Sequence, residues 1–259
     1  MNVTKKLTIL MIFSLSLFTT EAYSNEKFPL RSKFKGVQVI ETSTLAKGFS
    51  KYLIMDVRSK VEFDVLHMKG AEHNPVTKIT FEGNLKKILK SHNGKTVVFY
   101  CNGITCKKSF KAGMKAKNSG IKNYFVYDAG IFTWASTNPK LAVFLGKENV
   151  DTKKLISKSD FKKKLIPKKD FLAKAADKSY LVFDIRDVAQ QNEKAIKTVP
   201  NLKSLPFPKL VGTLEKGFFK GKKILVVDAV GRQVRWLQYY LEENGVKDYY
   251  FLDKGAGAF

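Results

Sequence analysis

The chain has 259 residues and a formal charge of +24, with 47 Lys and Arg against 23 Asp and Glu and two cysteines. One cysteine pair cannot build a disulfide-rich scaffold, and with no second pair it does not supply the four ligands of a structural zinc site. The lysines are spread along the chain rather than gathered into one basic and aromatic motif, so the charge reads as a solvated surface that attracts anions and argues against a nucleic-acid partner.

In chain order, residues 1–24 have the pattern of a secretory signal. Lys5 and Lys6 precede an apolar run from Leu7 to Phe18, and the small-residue segment Ala22–Tyr23–Ser24 precedes Asn25. Cleavage near Ser24 would deliver the protein to an exported, periplasmic compartment, where disulfides can persist. The run is shorter than the roughly 20 residues that span a bilayer, so no stable membrane anchor is expected. The remainder is long enough for two domains, expected at 25–150 and 151–259.

YLIMDVR at 52–58 reads as a strand ending in Asp56 and Arg58. Further on, Thr96 to Tyr100 reads as a buried strand, CNGIT as a tight loop, and Lys107 to Ser119 as a helix stopped by Gly120. The helix should turn Phe110, Gly113 and Met114 inward. Cys101 falls at the carboxyl end of the strand, where a loop curling into a helix start presents unpaired N–H groups and the positive end of the macrodipole. That setting is expected to lower the pKa of Cys101 and make it nucleophilic. Segment 141–165 mixes linker character with a short helical pattern. In the second half, Val234, Leu237 and Leu241 repeat the helical period, and Gly245 closes that helix.

An internal repeat relates the two halves. GIKNYFVYDAG at 120–130 matches GVKDYYFLDKG at 245–255, and YLIMDVR at 52–58 matches YLVFDIR at 180–186. Each half alternates short apolar strands with helices, which predicts an α/β fold of two tandem domains, each a parallel sheet with helices on both faces.

Three blocks in order carry a resemblance to a known family. DVRSKVEFDVLHMKGAEHNPV from Asp56 to Val76 is followed by the cysteine loop, and then by VYDAGIFTW from Val126 to Trp134. Together they resemble the rhodanese-like sulfurtransferase domain, over most of residues 36–140. The second half resembles it more faintly, through Asp184, Arg186, Gly231 and Arg232. The resemblance implies that Cys101 carries sulfane sulfur as a persulfide between a small anionic sulfur donor and a thiol acceptor, with no cofactor and no metal. Asn102, Gly103, Ile104, Thr105 and Lys107 would cradle the sulfur and donor, and Lys107 and Lys108 would attract the anion. Asp56 and Arg58 would tie the first strand's end to a neighbouring loop, and His67 and His73 would be structural. Cys106 stands five positions after Cys101, where the family often has Arg. It could attack a Cys101 persulfide and leave an internal disulfide, with a thioredoxin-like protein as a candidate reductant. Asp228 aligns with Cys101, so the second domain would be inactive in sulfur transfer. The alternative is a non-catalytic rhodanese-like module that binds a partner or small anion. A phosphatase or arsenate reductase is disfavoured because position 107 is Lys, which lacks the planar fork that clasps a tetrahedral oxyanion.

Overall fold

The computed structural model describes residues 28–259; the leader expected over 1–24 lies outside the described residues. The described chain divides into two compact units, one formed by 28–57 and 76–133, the other by 58–75 and 134–259. No described helix is long and apolar enough to cross a membrane.

In the first unit, strands Leu53–Asp56, Val97–Tyr100 and Tyr124–Tyr127 lie parallel in that order, and Val39 bridges Val126 on the far side. Every residue of the first two strands is buried, as expected for a parallel sheet covered on both faces. Leu53, Met55, Val97 and Phe99 pack with Phe81, Leu85, Ala112 and Ala116, while Val126 packs with Leu30 and Phe110. The helix after the cysteine loop runs Lys108–Asn118 and buries Ser109, Phe110, Ala112, Gly113 and Ala116. Met114, expected inward, is only half-buried; the helix meets the sheet through Phe110, Ala112, Gly113 and Ala116. Gly113 is the point of closest approach: a β-carbon there would stand 2.8 Å from Val126 Cγ2. Gly120 ends the helix at φ +78°, and Ile121 N–H closes onto Ala116 O at 3.0 Å.

The second unit repeats this plan. Its parallel sheet runs Leu202–Ser204, Tyr180–Asp184, Lys223–Val227, Tyr249–Leu252, Leu165–Ile166. Helix Val234–Glu243 buries Val234, Leu237 and Leu241, and Gly245 at φ +73° lets Val246 N–H reach Leu241 O at 2.9 Å. Helix Lys168–Ala176 packs on three of the strands through Phe171 and Ala175. The expected α/β architecture of parallel sheets flanked by helices is therefore the one observed. The same unit adds a small antiparallel sheet of Leu66–Met68, Ala142–Phe144 and Lys147–Glu148, which the sequence pattern does not announce.

Strand register makes the two cysteine-loop positions equivalent without reference to sequence. Asp56 lies opposite Tyr100, and Asp184 opposite Val227. One residue on from each partner stand Cys101 and Asp228.

Candidate functional site

The strand Val97–Tyr100 ends at Cys101, and the chain then turns through Asn102 to Lys107 before the helix begins at Lys108. What holds this turn is a glycine from the next crossover. Gly130 has φ +80° and lies so close to the loop that a β-carbon would stand 2.2 Å from Gly103 N, 2.3 Å from Gly103 Cα and 2.5 Å from Asn102 C. Ile131 N–H donates to Cys101 O at 2.9 Å, and Cys106 N–H donates to Gly103 O at 2.8 Å. Gly103 itself has φ +152°, on the edge of the region open chiefly to glycine. The crossover is anchored in turn by Asp128, 3% exposed, which takes a bidentate pair of hydrogen bonds from Arg31 at 2.8 and 3.0 Å.

Both cysteines are free thiols, and they differ sharply in setting. Cys101 has no exposed surface. Its S–H donates to the backbone carbonyl of Cys106 at 3.2 Å, and its Sγ lies 3.3 Å from Ser109 Oγ. Burial pushes the Cys101 thiol well above its ordinary range, and the neighbouring Cys106 pushes it further the same way. Cys106 is half-buried. Its pKa is lowered to about 6, first by the hydrogen bond with the Cys101 side chain, and then, against the opposing effect of burial, by the backbone amides of Asn102 and Lys108 and the charge of Lys108.

This corrects the expectation that Cys101 is the thiol with the depressed pKa. The amides of Asn102 and Lys108 act on the sulfur five residues further on, while Ser109, through its hydroxyl and its amide, acts on Cys101 in the same lowering sense without offsetting its burial. Of the other residues expected here, Asn102 and Gly103 are half-buried, Thr105 and Lys107 are exposed, and Lys108 is half-buried beside Cys106. Ile104 is 38% exposed at the loop's tip.

Asp56 and Arg58 are fully buried. Arg58 donates from Nη2 to Leu66 O, and its own carbonyl accepts from His73 Nε2 at 3.1 Å. His67 stacks on Phe63 with ring centroids 4.1 Å apart, and His73 packs tilted against the same ring at 4.7 Å. In the second half the corresponding pair is explicit: Arg186 clasps Asp184 through Nε and Nη2 at 2.9 and 2.7 Å and donates from Nη1 to Gln190 O and Lys194 O.

The loop after Lys223–Val227 has the same frame around a different occupant. Asp228 Oδ1 accepts from Gly231 N–H, and Oδ2 accepts from Gln233 N–H at 2.7 Å and Val234 N–H at 3.3 Å. Gly255, at φ +55°, takes the place of Gly130: a β-carbon there would stand 2.3 Å from Asp228 O. Ala256 N–H donates to Asp228 O at 2.7 Å, as Ile131 does to Cys101 O. The amides that would face an anion are therefore already filled by the chain's own carboxylate.

Two participants escape sequence reasoning. Ser109 looks like an ordinary first-turn serine, and only its eight-residue spacing from Cys101, which returns it over the strand end, hints at contact. Gly130 is visible only as one member of the repeated closing glycine. Among the described residues no group of three or more His, Cys, Asp or Glu side chains could hold a metal ion.

Residues 41–137 match the family model of the rhodanese-like domain. No curated protein sequence matches the chain. Among solved structures, the thiosulfate sulfurtransferase of Pseudomonas aeruginosa aligns over 95% of this chain and 43% of its own, at 15% identity and TM-score 0.34. This chain thus spans less than half the length of that protein. A single-domain sulfurtransferase of Saccharomyces cerevisiae aligns over 40% of this chain and 93% of its own, at 20% identity and TM-score 0.33. The As-Sb reductase of Leishmania major aligns over 49% of this chain and 97% of its own, at 20% identity and TM-score 0.35.

Proposed function

We propose that this protein is an exported sulfurtransferase or thiol-redox protein that carries sulfane sulfur as a persulfide on Cys101, with Cys106 as the thiol that resolves it. The observation that carries the reading is the pair of free thiols brought together at the strand-to-helix turn, with Cys101 Sγ 3.2 Å from the carbonyl of Cys106. A small anion such as thiosulfate brings the sulfur, and the lysine-rich surface draws it in. The sulfur leaves by either of two routes. An acceptor thiol or cyanide attacks the outer sulfur and restores the Cys101 thiolate. Alternatively, the Cys106 thiolate attacks Cys101 Sγ, the persulfide S–S bond breaks, sulfide departs as HS⁻, and a Cys101–Cys106 disulfide forms. Two electrons from an external dithiol of thioredoxin type then reset the pair.

The second half is a tandem copy of the same domain that has lost sulfur chemistry. Three things support this: the repeated strand order, the equivalence of Asp228 with Cys101 by register, and a carboxylate lodged among amides that would otherwise face substrate. Export rests on the leader pattern of residues 1–24.

The test is turnover. The reduced protein with thiosulfate and cyanide should yield thiocyanate, and Cys101→Ser should fall well below the wild type while remaining folded. The competing reading, a binding module, draws on the complete burial of Cys101 and predicts no thiocyanate from either form. Unchanged turnover in Cys101→Ser would remove the assignment of the persulfide to that residue.

A further inference from the structure

The persulfide reading leaves open how a sulfur donor reaches Cys101, which has no exposed surface and whose Sγ is engaged with Ser109 Oγ and the Cys106 carbonyl. Gly130 against Gly103 fixes the turn above it through backbone atoms rather than through a side chain that could rotate aside. Cys106 is placed differently. It is half-buried, lies at the helix-side end of the turn between exposed Thr105 and exposed Lys107, and hydrogen bonds to the Cys101 side chain beneath it.

We propose, on the basis of the sulfur-transfer reading, that Cys106 is the thiol that first meets the sulfur donor, and that it passes the sulfane sulfur inward to Cys101. With thiosulfate, the Cys106 thiolate attacks the outer sulfur, the S–S bond of thiosulfate breaks, and sulfite leaves with the bonding pair, giving a Cys106 persulfide. Cys101 then attacks the outer sulfur of that persulfide. The sulfur moves to Cys101, Cys106 leaves as the thiolate, and the proton from Cys101 passes to it and on to water. No net oxidation occurs in this step, so it needs no further reagent. The amides of Asn102 and Lys108 and the Lys108 charge serve the first attack by keeping Cys106 ionised. Ser109 Oγ, beside Cys101 Sγ, is placed to hold a hydrogen bond to Cys101 as it gives up its proton.

The order of the two thiols is readable because both lie in one tryptic peptide, Thr96–Lys107. The reduced full chain is mixed with thiosulfate, quenched with alkylating agent over a time series, and the peptide fragmented to place the added sulfur. The sulfur should appear on Cys106 first and on Cys101 later. In Cys106→Ala, labelling of Cys101 should slow by about tenfold or more, reflecting loss of the accessible thiolate. Cys101→Ser should still gain sulfur on Cys106. Sulfur appearing first on Cys101, or wild-type labelling in Cys106→Ala, overturns the proposal. If thiosulfate loads neither thiol, the sulfur-transfer reading fails on its own account, and iodoacetamide still decides the order. The depressed pKa means reactivity that is present above its midpoint and lost as pH falls through it, so Cys106 should be alkylated faster than Cys101 at pH 7, with a midpoint near pH 6. Faster alkylation of Cys101 would overturn the proposal by that measurement alone.

Discussion

Gly130→Ala is expected to be the most damaging single methyl group that can be added to the first unit. The new β-carbon would fall 2.2 Å from Gly103 N and 2.3 Å from Gly103 Cα, inside any tolerable contact, and both are backbone atoms of the cysteine loop. Relief requires either the loop or the crossover to move, and the φ of +80° is strained for alanine even in open space. Left-handed strain and overpacking each cost on the order of 1–3 kcal/mol, so a loss of about 3 kcal/mol or more is expected, read as a lower urea midpoint. Activity should fall further than stability, because the displaced atoms are those that set Cys106 over Cys101. A variant with wild-type stability and wild-type thiol reactivity would show that the crossover does not shape the loop.

Gly255→Ala applies the same lesion to the second unit. Its β-carbon would fall 2.3 Å from Asp228 O and 2.5 Å from Asp228 Oδ1. Moving Asp228 also loosens its three amide hydrogen bonds, each charge-assisted and worth about 1.5–3 kcal/mol when buried. A destabilisation comparable to that of Gly130→Ala is therefore expected. The outcome for chemistry should be opposite: under conditions where the variant remains folded, sulfur capture should stay close to wild type, since both thiols lie in the first unit. Loss of sulfur capture by folded Gly255→Ala would mean that the second loop participates in the reaction.

The contrast between the loops also shows how far the sequence could be read. The alternation of apolar strands and helices was plain, because strands buried on both faces leave continuous apolar runs such as Val97–Tyr100. The closing glycines Gly120 and Gly245 were plain for a similarly local reason. The antiparallel sheet of Leu66–Met68, Ala142–Phe144 and Lys147–Glu148 was not, since strands of two or three residues are too short to display a period. At the site, the spacing of Cys101 and Cys106 placed both thiols on the turn, yet it assigned the depressed pKa to the wrong one. Helix-terminus electrostatics act on whichever sulfur lies among the amides. That choice is set by the backbone path of Asn102 to Lys107, which in turn is pinned by Gly130 from a distant part of the chain. Ser109 was hidden for the same reason: its contact with Cys101 exists only once the helix is docked.

The intact mass of the reduced protein, before and after exposure to thiosulfate, tests the central claim most directly. The account predicts a gain of one sulfur that a thiol or cyanide acceptor removes, and no gain in the chain carrying Cys101→Ser and Cys106→Ser together. An unchanged mass in the wild-type protein, or an equal gain in the double variant, would contradict it.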